Sequence, residues 1–169
     1  MKSSFAAKTE GALRSCRADA EPFHLPGLMK IKERIAAICR SNGIADLYVF
    51  GSRADEIAGL FRDAAGTVSK SESDVDVGVF PEKREPWSPE RCVRVSMALQ
   101  DLFQVSRVDL VVLPEADPYL ALDIIRGEIL YTNDPDRQAR YELFVLRRAA
   151  DLLPFKKQRT RMILEEGAR

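Results

Sequence analysis

Three aspartates stand where aspartate is uncommon. Asp74 and Asp76 lie in Ser73-Asp74-Val75-Asp76-Val77-Gly78-Val79-Phe80, and Asp109 lies in Val108-Asp109-Leu110-Val111-Val112. Both runs read as strands, and a short polar side chain that competes with the backbone ladder is depleted from strands. Period-two alternation puts Asp74, Asp76 and Gly78 on one face and Val75, Val77 and Val79 on the other. Two carboxylates projecting side by side repel unless a proton or a divalent cation sits between them. Asp109, from a neighbouring strand, can join that face and complete an oxygen-rich site for Mg²⁺, the arrangement that phosphoryl or nucleotidyl transfer needs. The alternative for Asp74 and Asp76 is the polar outer face of an edge strand.

Gly51-Ser52 supplies a second half for such a site. Leu47-Tyr48-Val49-Phe50 reads as a short buried strand and the chain turns helical after Ser52, which places the pair at a strand-to-helix turn. Glycine lets a phosphate approach the backbone, the serine hydroxyl donates a hydrogen bond, and the first free N–H groups of the helix favour an anion. Taken alone, Ser52 reads equally well as a helix cap. Arg53 joins Gly51 and Ser52 as a candidate nucleotide-binding residue; a solvated helix face is the alternative for Arg53 and for Glu56.

Gly-Ser, a spacer, Asp-x-Asp and a third strand aspartate, in this order, resemble the nucleotidyltransferase superfamily of DNA polymerase β, and within it the minimal nucleotidyltransferase (MNT) proteins. The resemblance runs from about Met29 to about Arg159. It includes the helix Ile31 to Cys39, Phe50-Gly51-Ser52-Arg53-Ala54, the Asp74 and Asp109 strands, and the tail Ile125-Arg126-Gly127-Glu128-Ile129-Leu130-Tyr131, Arg140-Tyr141-Glu142 and Asp151-Leu152-Leu153-Pro154. One departure is the spacer: 21 residues separate Ser52 from Asp74, longer than is usual in the family. Ile57, Leu60, Phe61 and Ala64 have amphipathic helical spacing, so part of the extra length prolongs the helix after Ser52. Gly66 to Glu72 is turn-rich and polar, and is expected to be a mobile surface loop at the mouth of the cleft.

The resemblance implies an α+β fold, a nucleotidyltransferase-like mixed β-sheet flanked by helices with a C-terminal helix. It implies catalytic and metal-binding roles for Asp74, Asp76 and Asp109, two Mg²⁺ ions, and ATP as substrate. Small stand-alone members are commonly antitoxins of HEPN/MNT toxin–antitoxin pairs that transfer AMP to a tyrosine of a HEPN-domain toxin, and such a toxin is the expected partner. The alternatives are a catalytically inactive antitoxin or scaffold that acts by binding, and a nucleotidyltransferase for a small molecule such as an aminoglycoside.

The elements that must position these residues follow from the pattern. The expected order is helix 30–41, strand 47–50, helix 53–64, strand 74–80, helix 89–103, strand 107–113, a helical segment at 119–126, a short edge strand at 128–131 and a last helix at 136–153, with Pro154 after it. The domain reading is a flexible extension over 1–28, one nucleotidyltransferase domain over 29–161 and a tail over 162–169. At 169 residues the chain suits one domain with a substantial core.

Basic and acidic residues balance at 26 each, which argues against bulk coating of nucleic acid. Between Arg137 and Arg161, however, eight Lys/Arg stand against Glu142 and Asp151, a local net charge of +6. Tyr141, Phe144 and Arg148 fall at i, i+3 and i+7 there, one helical face with the residue types of interface hot spots. Packing of those aromatics against the protein's own sheet is the alternative. No apolar run reaches the roughly 18 residues of a membrane span and no signal peptide is evident, so a cytoplasmic protein is expected. Cys16, Cys39 and Cys92 lack metal-site spacing and read as reduced thiols. A histidine-based nucleophilic mechanism would have only His24 to use. Trp87, between Pro86 and Ser88, is expected to cover the edge of the core.

Overall fold

Three helices begin with the same local device, a short polar residue followed by proline: Ser88-Pro89, Asp117-Pro118 and Asp134-Pro135. Proline at the first helical position gives up an N–H that would have no partner, and the preceding side chain accepts from the next free ones. In the computed structural model, which describes residues 26–62, 74–83 and 85–166, Ser88 accepts from the Arg91 N–H, Asp117 from those of Tyr119 and Leu120, and Asp134 from that of Arg137. The elements are α1 (Pro26–Ser41), β1 (Ile44–Phe50), a 3₁₀ turn (Gly51–Arg53), α2 (Ala54–Arg62), β2 (Val75–Pro81), α3 (Pro89–Phe103), β3 (Val108–Val112), α4 (Pro118–Ile125), β4 (Glu128–Thr132) and α5 (Pro135–Glu166). The extension 1–25, with Cys16 and His24, and the segment 63–73, with Ala64 and the expected loop Gly66 to Glu72, lie outside the described residues.

The strands form one mixed sheet in the order β3-β2-β1-β4, with β1 antiparallel to β2 and β4, and β2 parallel to β3. This is the expected α+β architecture, and β4 takes the edge position read from the sequence. Alternation assigns the two faces. Val75, Val77 and Val79 of β2, with Val108 and Val112 of β3, enter a core built with Ile35 and Cys39 of α1, Ile57, Leu60 and Phe61 of α2, and Val95, Leu99 and Phe103 of α3. Each fully buried valine contributes about 1.5–3 kcal/mol relative to exposure. Trp87 joins that core, 7 % exposed, with the Arg91 guanidinium over its ring.

The opposite face carries Asp76, Gly78 and Phe80 of β2 with Tyr48 and Phe50 of β1, and α4 and α5 cover most of it through Ala121, Ile124, Tyr141 and Val145. Two polar ties hold the start of α5 to β1. Buried Asp46 accepts from Arg137 at 3.0 Å and from Thr132 at 2.7 Å, and the Tyr48 hydroxyl donates to Glu142 at 3.1 Å.

The observed elements depart from the expected ones in three places. α1 begins at Pro26, inside the segment expected to be extension. β1 begins at Ile44, which pairs with Pro81 of β2, and from Asp46 it pairs with β4 on its other edge; all seven of its residues are buried. α5 does not stop at Pro154 but continues to Glu166. Proline removes one N–H donor and crowds the carbonyl four residues earlier. Here that carbonyl belongs to Ala150, an exposed residue, where water can take the place of the missing donor.

Candidate active site

The site grows from the register of β2 and β3. The parallel pairing aligns Val75 with Val108 and Asp76 with Asp109, so two carboxylates stand side by side on adjacent strands of the face that α4 and α5 leave open at this end. Asp74 immediately precedes β2, with a third carboxylate on the same side by alternation. Two consequences are electrostatic. Burial, and after it the charges of Asp109 and Asp74, push the Asp76 carboxyl above its usual range. Asp74 and Asp109, with side chains 34 % and 45 % exposed, stay open to solvent and to a ligand.

β1 delivers the second component. Its last residue, Phe50, pairs with Asp76, so the Gly51-Ser52 turn starts beside that carboxylate. Gly51 has φ +76°, a left-handed conformation that favours glycine, and a Cβ there would collide with the Asp76 carboxylate. Only glycine lets the turn pass this close to an ionisable strand residue. Ser52 is exposed at the start of the turn. Arg53 turns the other way: it is 5 % exposed and its Nε donates to Glu56 at 2.9 Å. The solvated helix face considered for Arg53 is therefore not what forms, because the 3₁₀ turn rotates this side chain inward before α2 begins.

Arg107, which sequence reading passed over, belongs to this cluster. Its Nε donates to Asp109 at 2.9 Å and its Nη1 lies 3.4 Å from Asp74. The signal was present in Arg107-Val108-Asp109, since i and i+2 share a strand face and the expected strand 107–113 includes the residue; that its guanidinium also reaches Asp74 depends on the register of β3 with β2. Among the described residues no group of three acidic, histidine or cysteine side chains forms a ready metal cage; Asp74 and Asp109 are turned to Arg107 instead. The donor chemistry still suits Mg²⁺, a hard ion that takes one or two carboxylates and completes its shell with water and substrate phosphates.

The other end of the same face holds a cavity of about 810 Å³ that none of the three carboxylates borders. Its α5 wall carries Arg137, Arg140, Tyr141, Phe144 and Arg148. Tyr141 packs on Phe80 of the sheet with ring centroids 4.4 Å apart, and burial pushes its phenol up to about 12. Phe144 is 52 % exposed. The two readings of these aromatics are thus divided between them: Tyr141 anchors α5 and Phe144 faces outward.

A mixed sheet that sets aspartates of adjacent parallel strands beside a Gly-Ser turn defines a nucleotidyl-transferring enzyme. The family model described as "Polymerase beta, Nucleotidyltransferase" matches residues 33–136, more than half of the chain, and the chain belongs to this family of nucleotidyltransferases. A comparison with curated proteins gives no match. Among solved structures, a chain of a mutant MntA–HpeT toxin–antitoxin crystal structure superposes with TM-score 0.60 at 16 % identity, over 79 % of this chain and 98 % of that one. A toxin–antitoxin structure with AMP-PNP gives TM-score 0.60 at 17 % identity over the same shares, 79 % and 98 %. A tri-AMPylated Shewanella oneidensis HEPN toxin in complex with its MNT antitoxin gives 0.53 at 18 %, over 82 % of this chain and 97 % of that one. At these identities the likeness is one of fold.

Proposed function

We propose that this nucleotidyltransferase moves AMP from ATP to a tyrosine hydroxyl of a HEPN-type toxin and thereby acts as that toxin's antitoxin. The observation that carries the chemistry is the pairing of Asp76 with Asp109 across β2 and β3 beside Gly51. Asp74, Asp76 and Asp109 would hold Mg²⁺, which supplies charge neutralisation of the triphosphate and acidifies the acceptor hydroxyl. Gly51 and Ser52 bind phosphate oxygens through the turn's N–H groups and the serine hydroxyl. Asp109, on the open side of the pair, accepts the proton of the acceptor hydroxyl. The hydroxyl oxygen attacks the α-phosphorus, the bond to the β-phosphate bridge breaks, and pyrophosphate leaves. Arg53, buried and paired with the half-buried Glu56, supports the turn that presents Ser52.

The acceptor is argued from the likeness in fold to chains of toxin–antitoxin complexes, one of them holding an AMPylated HEPN toxin, and from the basic, aromatic wall of α5, which offers a protein-docking surface at the other end of the same sheet face. The chain should be incubated with Mg²⁺, ATP labelled at the α-phosphate and the HEPN protein that copurifies with it. The label is expected on a tyrosine of the partner, and the double variant Asp74→Asn, Asp76→Asn should lose the transfer while remaining folded. Label on the partner with the folded double variant would overturn the site assignment; label on an aminoglycoside and none on the protein would overturn the acceptor. No helix among the described residues is long and apolar enough to cross a membrane, and the reaction is proposed to occur in the cytoplasm, where ATP and toxin meet.

A further inference from the structure

We propose that Arg107 is a built-in counter-ion of the site, occupying the carboxylates in the free protein and giving them up when nucleotide and divalent cation arrive together. The inference rests on the reading of Asp74, Asp76 and Asp109 as the cation site.

The backbone fixes where Arg107 starts. Its carbonyl accepts from the Val75 N–H at 3.1 Å, which pins the residue at the very beginning of the β2/β3 pair. From there the pleat sends its side chain to the same face as Asp109. The guanidinium spans two strands, reaching Asp109 at 2.9 Å and Asp74 at 3.4 Å. Asp76 is the carboxylate it does not neutralise: the influences on Asp76 are burial and the charges of Asp109 and Asp74. With all three carboxylates ionised, one guanidinium leaves a net charge of −2 on the cluster, the complement of a single divalent cation.

A cation that uses Asp74 or Asp109 must displace the guanidinium. The displacement is easy, because the Arg107 side chain is 63 % exposed and packs in no core, and exposed ion pairs of this kind are weak. It is also directional, since a polyphosphate arriving with the cation offers the freed guanidinium a new anionic partner. Arg107 thereby makes cation binding depend on nucleotide binding, a coupling between two ligands of one site. It acts as a positioning residue, through the carboxylates, and the chemistry does not need it in the free protein.

The test is Mn²⁺ binding by the full chain, followed by electron paramagnetic resonance or calorimetry, without nucleotide and with α,β-methylene ATP, which does not react. Arg107→Ala is expected to bind Mn²⁺ alone about three- to tenfold more tightly than wild type, the size of one or two weak ion pairs. The enhancement of Mn²⁺ affinity by the nucleotide should shrink by a similar factor. Arg107→Lys, whose ammonium can hold one carboxylate but not fork between two, should fall between. Equal Mn²⁺ affinity and undiminished coupling in Arg107→Ala, with binding still lost in Asp76→Asn, would overturn the inference and leave the cation site standing. Absence of Mn²⁺ binding in wild type and Arg107→Ala alike would overturn both.

Discussion

At Asp76 stability and the proposed function oppose each other. It is partly buried, its ladder partner is another aspartate, and its carboxyl is pushed above its usual range by burial and then by Asp109 and Asp74. A folded-state pKa above the unfolded one means that the folded protein binds the proton more tightly. The associated stability is present at acid pH and is lost as pH rises through the folded pKa. Asparagine keeps the shape and cannot ionise. Asp76→Asn is therefore expected to melt a few degrees higher than wild type near pH 7, about what 1 kcal/mol produces in a chain of this size. The gap should close as pH falls toward the ordinary carboxylate range, and nucleotidyl transfer should drop by roughly 10²-fold or more, as when one preorganised electrostatic group is removed. Calorimetry across pH and a labelled-ATP assay measure the two halves. A melting temperature that fell at neutral pH would mean that Asp76 is held by a favourable contact rather than against its charge. The sequence made this residue legible because an aspartate between valines has few other reasons to be there. Arg107 and Asp46 were not legible in the same way. Arg107 lies at the mouth of a strand, and the role of Asp46 depends on Arg137 and Thr132, which are far along the chain.

At the scale of elements, the site depends on how closely α4 can lie on β2. Gly78 alternates with Asp76 onto the site face, and a Cβ there would drive into the Ile124 side chain of α4. Gly78→Ala should therefore shift α4 outward and cost about 1–3 kcal/mol, the range for overpacking a filled core. Thermal melting checks this, and an unchanged melting temperature would show that α4 has room to move. Gly51→Ala acts differently, since it combines the left-handed φ of +76° with a collision against the Asp76 carboxylate itself. Its expected signature is a loss of transfer larger than the loss of stability. The strands and helices were read from period-two and period-3.6 patterns, and a shared face for Asp76 and Asp109 on neighbouring strands could be anticipated because both lie in apolar, strand-like runs. Their direct parallel pairing is seen only in the sheet. What local pattern could not supply was the second edge of β1. Its pairing with β4 involves residues some eighty positions later, while the start of the strand at Ile44 is set by pairing with Pro81 of β2. Likewise, proline chemistry alone would end α5 at Leu153, and only the exposure around Ala150 explains why the helix goes on.

At the scale of the whole molecule, α5 is longer than the core it covers. Its first half is tied down by Arg137 to Asp46, by Glu142 to Tyr48, and by Tyr141 and Val145 in the apolar cluster beneath it. After Leu152 its described residues are all exposed, including Leu153, Phe155, Met162, Ile163 and Leu164. Lys156, Lys157, Arg159 and Arg161 give this same stretch a basic character. Removing residues 155–169 takes away a contact with the body of the protein, Lys156 over the Tyr119 ring at 3.8 Å. It should lower the melting temperature by no more than a few degrees, about what 1 kcal/mol produces in a chain of this size. Nucleotide binding, proposed to use Asp74, Asp76 and Ser52, should be unaffected. Partner binding is the quantity that should change, because apolar anchors among charges have no role inside the protein itself. Charge reversal of Arg140, Arg147 and Arg148 to glutamate tests the neighbouring wall independently, and is expected to weaken capture of a HEPN partner while transfer to a generic hydroxyl acceptor persists. Calorimetric titration of the folded truncation and of the triple variant with the partner reads both effects. Full-strength binding by both proteins would place the interface on another face, whereas loss in the truncation alone would assign it to the overhanging end of α5 and leave the cavity beside Phe144 for another ligand.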